Sequence, residues 1–163
     1  MKKLLTPFLI LLFVVLVQET SAQARAGLGF VYGSEVEEFG FNFNGEYGIN
    51  ENISLNANIS IFFIEDVPGV DNGFWTLNFD GHYYFQGGLS GFYGLAGLNI
   101  ATATFEGEIL GFPVDESSSE LGLNIGGGYL YDTGGAIAPF GDVKFVLGDA
   151  DQLVFRAGAK YNF

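Results

Sequence analysis

The side chains with the clearest potential for chemistry surround the single histidine of the chain. His82 lies in the segment NFDGHYYF, two residues after Asp80, so the two would share one face of an extended strand. Nucleophilic catalysis needs a hydroxyl, a base and an orienting carboxylate within reach. Ser54 and Ser60, in the preceding alternating segment, are the candidate hydroxyls. We expect His82 to be a structural residue hydrogen-bonded to Asp80, and the protein to have no enzymatic activity.

Clustered carboxylates are a second possible site. Asp115 is followed by Glu116, and Asp149 is separated from Asp151 by one alanine. Carboxylates of this kind bind Ca²⁺ together with carbonyl groups and water. Solvated loops that keep a surface from aggregating explain the same residues. We therefore expect no cofactor and no resident metal, with these four residues as weak candidates.

A larger set of ionisable residues shares one property, which is a position on the polar side of an alternating segment. The set is Arg25, Glu46, Asp80, His82, Asp142, Lys144, Arg156 and Lys160. It contains every base after residue 24. We predict a charge network in which Asp142 neighbours Arg156 and Arg25 neighbours Glu46. Such a network would be either a structural filling or a gate that also passes small ions.

The elements that position these residues are strands. Eight segments alternate with period two between clusters of Gly, Asn, Asp or Ser. They span residues 24–33, 39–49, 53–64, 74–85, 92–105, 120–131, 137–147 and 152–163. In the fifth segment, which is apolar on both sides, Phe92, Ala96, Leu98 and Ile100 are predicted to face outward. The segments are longer than the usual soluble strand of about 5 to 6 residues and match the roughly 9 to 11 residues of a tilted membrane strand.

The composition is that of an exported all-β protein. Lys2 and Lys3 precede an apolar run over residues 4–17, so residues 1–22 are predicted to be a secretory signal peptide, cleaved after Ala22 or Ala24. With Lys2, Lys3 and Glu19 removed, 18 acidic and 4 basic side chains remain, which disfavours nucleic acid as a partner. The chain has no cysteine, so disulfides cannot stabilise it.

Long strands with one apolar face predict a barrel in a membrane. Lipid offers no hydrogen bonds, so a membrane sheet must close without a free edge. We predict an eight-stranded antiparallel up-and-down transmembrane β-barrel over residues 23–163, whose last segment pairs with the first. A lipocalin-like soluble barrel is disfavoured because the Phe-rich face would have to point inward. Side chains can just fill a barrel of this size, so the charge network would occupy the lumen.

The connections between segments differ in charge. The odd-numbered ones, residues 34–38, 65–73, 106–119 and 148–151, hold 12 of the 18 acids and no base. The even-numbered ones, around residues 50–52, 86–91 and 132–136, are short and rich in Gly and Asn. Outer-membrane barrels have long extracellular loops and short periplasmic turns. The acidic connections are therefore predicted to face the medium, and both termini to be periplasmic.

These features resemble the small eight-stranded outer-membrane β-barrels of Gram-negative bacteria, of the OmpX and OmpA membrane-domain type. The resemblance covers residues 23–163 as architecture, and its most specific element is Phe163 with Tyr161 two residues before it. In that family the barrel assembly machinery reads a C-terminal aromatic residue, so the resemblance implies that role for Tyr161 and Phe163. It also implies a monomer in the outer membrane, surrounded by lipid and lipopolysaccharide.

The function implied by this resemblance is envelope-structural, or surface-interacting through the acidic loops, with a lumen filled by the charge network. A narrow porin-like channel for small solutes or ions is the alternative. A lipid A-modifying barrel enzyme is a remote alternative that would need His82 as its base. Bridging of the acidic loops to lipopolysaccharide phosphates through divalent cations is a further hypothesis.

Overall fold

The chain forms one closed barrel of antiparallel strands. The computed structural model describes residues 24–64, 70–109, 112–148 and 151–163, so the predicted signal peptide lies outside the described residues. The strands are β1 Ala24–Gly33, β2 Glu38–Gly48, β3 Ile53–Phe62, β4 Val70–Tyr84, β5 Gly91–Ile109, β6 Phe112–Leu130, β7 Ile137–Leu147 and β8 Gln152–Asn162. The described part of the chain contains no helix that is long and apolar enough to cross a membrane.

Each strand pairs with its neighbours in sequence, and β1 pairs with β8 to close the barrel. In the closing pair Gly29 lies opposite Gly158, and the amide of Phe163 donates to the carbonyl of Ala24 at 3.1 Å. Closure satisfies the backbone groups of both outer strands, as a sheet in lipid requires. The predicted fold class is therefore confirmed.

The barrel wall has the opposite polarity to that of a soluble protein. Large apolar side chains lie on the outside, where Leu28, Phe30 and Leu121 are 67%, 63% and 67% exposed. Along β3, by contrast, the inward residues are two serines and two asparagines before Phe62, and all of them are buried. This pattern excludes a lipocalin-like core, which would bury the apolar face instead.

The two ends of the barrel differ. We call the end with the short connections 49–52, 85–90 and 131–136 the turn end; Ala24 and Phe163 also lie there. The opposite end, at which β2, β4, β6 and β8 begin, is the loop end.

The strands at the loop end are longer than predicted. β4 begins at Val70, so the predicted connection 65–73 is partly strand, and most of the predicted loop 106–119 is the hairpin between β5 and β6. The alternating pattern is absent there: residues 116–120 are all exposed, so no buried face imposes a period of two on them.

A sheet of three strands projects beyond the barrel at the loop end. β5 and β6 stay paired as far as Ile109 opposite Phe112, and β4 joins them as far as Val70 opposite Gly107. β7 pairs with β6 only from Leu123 onward. Residues 112–122 of β6 thus have β5 on one side and no strand on the other within the described ranges. We call residues 70–73, 101–109 and 112–122 the projecting sheet.

Candidate functional site

The eight ionisable residues singled out in the sequence all lie inside the barrel. Arg25, Glu46, Asp80, His82, Asp142, Lys144, Arg156 and Lys160 are each at most 8% exposed. They come from five strands whose inward positions would otherwise surround an empty pore. A charge that is buried in this way needs partners, because loss of its hydration is costly.

Glu46 is the hub of the network at the turn end. Its Oε1 accepts hydrogen bonds from Ser54 Oγ at 2.5 Å and from Tyr84 Oη at 2.7 Å, and its Oε2 accepts one from Lys160 Nζ at 2.5 Å. Arg25 Nη1 lies 4.0 Å from Oε1. Arg25 and Glu46 are directly opposite each other on β1 and β2, as the sequence suggested. The carboxylate is therefore held by one hydroxyl, one phenol and two cations.

Asp142 and Arg156 form a second centre. Arg156 Nε donates to Oδ1 at 2.8 Å and Nη2 donates to Oδ2 at 3.0 Å, which is the two-point geometry that favours guanidinium over ammonium. Tyr93 Oη also donates to Oδ2 at 2.8 Å. Asp142 and Arg156 are paired in register between β7 and β8, so their side chains start at the same depth.

The third centre joins charges to amides. Lys144 Nζ lies 3.7 Å from Asp80 Oδ2 and donates to Asn78 Oδ1 at 2.6 Å. Asn124 Nδ2 donates to Asp80 Oδ1 at 2.6 Å, and Asn58 Nδ2 donates to Asp80 Oδ2 at 3.3 Å. The other buried asparagines of the lumen are Asn42, Asn44, Asn56 and Asn99. Amides both donate and accept, so they connect the charges across the width of the barrel.

His82 does not make its predicted contact. Its ring stacks on Tyr93 with centroids 4.6 Å apart, and Nδ1 lies 3.8 Å from Glu46 Oε1. Neither ring nitrogen has a hydrogen-bond partner among the described residues. The predicted hydrogen bond to Asp80 is wrong, because the His82 ring is held by its stack on Tyr93, with Nδ1 toward Glu46. Asp80 is also already occupied by the two asparagines.

The residue types of nucleophilic catalysis meet in the lumen without the order that catalysis needs. Ser54 lies opposite His82 in the pairing of β3 with β4, but its hydroxyl donates to Glu46 and not to the imidazole. Ser60 Oγ accepts a hydrogen bond from Asn42 Nδ2 at 3.0 Å. In a Ser-His-Asp arrangement the imidazole accepts the hydrogen bond of the nucleophilic hydroxyl, and here the Glu46 carboxylate accepts that of Ser54 instead.

Two apolar clusters lie inside the barrel, one toward each end of the lumen, and the sequence pattern did not indicate them. The turn-end seal consists of Tyr84, Leu89, Tyr93, Leu95, Leu130, Ala138 and Phe140. The loop-end seal consists of Val31, Phe62, Val146 and Val154, with Val36, Ile64 and Phe74 packed against it. Val31, Val146 and Val154 interrupt the polar face near the loop ends of their strands, and this was the available signal. Leu89 gave no such signal, because it lies in a connection between strands.

The acidic candidates for metal binding remain apart from this network. Glu116 is exposed, and Asp151 Oδ1 accepts a hydrogen bond from the amide of Gly148 at 2.8 Å. Asp149 and the side chain of Asp115 lie outside what the structure describes. Within the described residues, no group of three or more histidines and acids is arranged to hold a metal ion.

The two aromatic residues with an implied role in assembly lie on the outer wall at the turn end. Tyr161 and Phe163 are 51% and 81% exposed, and their ring centroids are 5.2 Å apart in an edge-on arrangement. Both rings are therefore accessible from outside the barrel.

Comparison with known proteins supports the fold. No family model and no curated protein sequence matches the chain. A major outer membrane protein from Thermus thermophilus is similar in structure, with a TM-score of 0.66 and 12% identity over 88% of this chain and 100% of that one. Ail, the attachment invasion locus protein of Yersinia pestis, was solved in complex with the heparin analogue sucrose octasulfate. It gives a TM-score of 0.61 and 19% identity over 87% of this chain and 97% of that one.

The N-terminal β-barrel domain of Pseudomonas aeruginosa OprF gives a TM-score of 0.57 and 11% identity over 90% of this chain and 100% of that one. All three likenesses extend over nearly the whole described barrel. Together with the closed sheet of eight strands and the apolar outer wall, they show that the chain has the fold of the small eight-stranded outer-membrane β-barrels, of the OmpX and OmpA type.

Proposed function

We propose that the protein is an outer-membrane anchor that presents the projecting sheet to a cationic partner at the cell surface, and that it is not an enzyme. The observation that carries this proposal is the edge of β6 over residues 112–120, which no strand of the described ranges covers. An unpaired strand edge displays backbone donors and acceptors that another extended chain can pair with.

The barrel supplies the anchor. Its outward apolar residues suit lipid and lipopolysaccharide, and the loop end faces the medium if the chain follows the usual arrangement of long outer loops and short periplasmic turns. Ala24 and Phe163 then lie on the periplasmic side. In this arrangement Tyr161 and Phe163 act as the signal to the barrel assembly machinery, and the barrel is a monomer.

Charge favours a cationic partner. Glu116 and Glu120 are exposed on β6, and Glu35 and Glu37 are exposed in the connection between β1 and β2, at the same end of the barrel. The loop end has no lysine or arginine within the described ranges. Complementary charge speeds association and rejects partners of the same sign. A second copy of this acidic edge is therefore a poor partner, and a basic extended segment is a good one.

The likeness to Ail does not extend to its ligand class. The heparin analogue in that structure is a polyanion. A polyanion would be repelled by the acids at the loop end of the present barrel. Only the surface role is therefore carried over from that likeness.

The interior of the barrel supports a structural role for the charge network. The seals at both ends contain bulky apolar side chains, which oppose the passage of hydrated ions. Ser54 is engaged by Glu46, and His82 lies behind the turn-end seal at 1% exposure. These features count against the narrow channel and against the lipid A-modifying enzyme.

The proposal is tested by binding to the barrel reconstituted in nanodiscs of neutral lipid. The probe is a peptide of alternating lysine and valine, with an alternating glutamate and valine peptide and sucrose octasulfate as comparisons. We expect only the lysine peptide to bind, with an affinity that falls as salt increases.

A pair of matched variants locates the binding surface. The double variant Glu116→Gln with Glu120→Gln should weaken binding of the lysine peptide. The double variant Glu51→Gln with Asp132→Asn removes the same amount of charge at the turn end and should leave this binding unchanged. Equal loss in both double variants, or no binding to the wild type, would overturn the proposal.

A further inference from the structure

The connection between β4 and β5 has an unusual backbone. Gly87, Gly88 and Leu89 are consecutive residues with φ of 74°, 67° and 50°, and Gly91 follows with φ of 82°. Glycine adopts this left-handed region freely, but a branched side chain such as leucine does so rarely. Strain of this kind persists only where surrounding contacts impose it.

The contacts that impose it lie inside the barrel. The Leu89 side chain is only 3% exposed although its residue belongs to a connection. It packs among wall residues of the turn-end seal, including Tyr84, Tyr93 and Leu130. The connection therefore folds back and inserts one apolar side chain into the mouth of the lumen.

Two hydrogen bonds to the backbone of Leu89 hold the connection in this position. Arg25 Nη1 donates to the carbonyl of Leu89 at 2.7 Å, and the amide of Leu89 donates to the carbonyl of Glu51 at 3.0 Å. Because Arg25 also lies near Glu46, the closed position is linked to the charge hub. A cavity of about 220 Å³ lies beside the connection at the turn end, lined by Gly88, Ser90 and wall residues including Leu130.

We infer that residues 85–90 form a hinged lid on the turn end of the lumen, with Leu89 as its stopper. The positive-φ glycines on both sides of Leu89 are the hinges, since glycine accommodates large backbone rotations at little cost. Outward movement of Leu89 relieves its backbone strain and admits water to Glu46 and His82. This lid is independent of the partner proposed for the projecting sheet.

The single histidine provides a reporter behind the lid. Diethyl pyrocarbonate modifies accessible imidazoles, and in this chain the histidine signal can come only from His82. The experiment uses the refolded barrel in lipid vesicles and follows the modification by ultraviolet absorbance. A change in electrophoretic mobility on heating verifies for every variant that the barrel is folded before heating.

Leu89→Gly removes the apolar side chain that anchors the lid in the turn-end seal. We expect it to speed modification of His82 by about tenfold or more, because reaction of a transiently exposed group follows the population of the open form. Leu95→Ala is the matched control, since Leu95 belongs to the same seal and is 4% exposed but lies on a wall strand. A rate in Leu89→Gly no faster than in Leu95→Ala would overturn the lid.

A measurement on the wild type keeps the inference testable if Leu89→Gly does not fold. The amide of Leu89 is hydrogen-bonded to Glu51, as the amide of Tyr84 is to Asn52. A lid that opens should expose the Leu89 amide to hydrogen exchange far faster than the Tyr84 amide. Equal protection of the two amides would show a fixed connection and overturn the inference.

Discussion

Arg156 and Asp142 make two parallel hydrogen bonds, at 2.8 and 3.0 Å, between strands that are adjacent and in register. Both side chains are buried, and Tyr93 adds a third hydrogen bond to the same carboxylate. The pair therefore fixes the relation of β7 to β8 from inside the barrel. Substitution of either residue is a direct test of how the lumen contributes to stability.

Removal of one member of this pair should destabilise the barrel strongly. In Arg156→Met, Asp142 stays buried without its cation, and we expect the free energy of unfolding to fall by about 3 to 5 kcal/mol. Equilibrium unfolding by urea in lipid vesicles measures this. In the double variant Arg156→Met with Asp142→Asn, the free energy of unfolding should fall by less than the sum of the losses in the two single variants, because no uncompensated charge remains. Additive losses would show that the two side chains do not depend on each other.

Tyr84 and Tyr83 offer a comparison between the two faces of one strand. Tyr84 Oη donates to buried Glu46, whereas Tyr83 is 52% exposed on the outer wall. A hydrogen bond to a charged group contributes about 1.5 to 3 kcal/mol to stability. Tyr84→Phe should therefore lower the free energy of unfolding, measured in urea, by that amount. Tyr83→Phe should be nearly neutral. The same small effect for both substitutions would contradict the role of Glu46 as a hub.

The outer wall should reject charge. Phe43 lies in the middle of β2, is 50% exposed, and pairs with Leu28 and Ile59 on the neighbouring strands. Phe43→Arg should cost about 2 to 4 kcal/mol in vesicles, because the cation would face the middle of the bilayer. Glu35→Arg at the loop end should cost little. If Phe43→Arg unfolds at the same urea concentration as the wild type, this wall does not face lipid.

The sequence was sufficient for the wall of the barrel because lipid and lumen impose opposite requirements on alternate residues. Leu28 and Phe43 outside, and Asn44 and Asp80 inside, follow directly from that alternation. The pair of Asp142 and Arg156 was also predictable, since a short connection joins their strands and fixes their relative depth.

Contacts across the lumen were not predictable in this way. Lys160 lies on β8 and contacts Glu46 on β2, two strands that are not adjacent in the barrel. No spacing in the sequence predicts such a contact. The stack of His82 on Tyr93, by contrast, is a diagonal contact between the adjacent strands β4 and β5, and the prediction missed it by pairing His82 with Asp80 of its own strand. Leu89 enters the lumen from a connection, where no alternation exists to mark its direction.

The proposed surface function requires that the lumen be closed to ions. Planar-bilayer recording of the refolded protein tests whether the lumen is closed. The double variant Phe62→Ser with Leu89→Gly, which removes one residue from each seal, is the positive control and should show openings. We expect no openings for the wild type. Steady openings of the wild type would contradict the sealed lumen and identify the barrel as a channel.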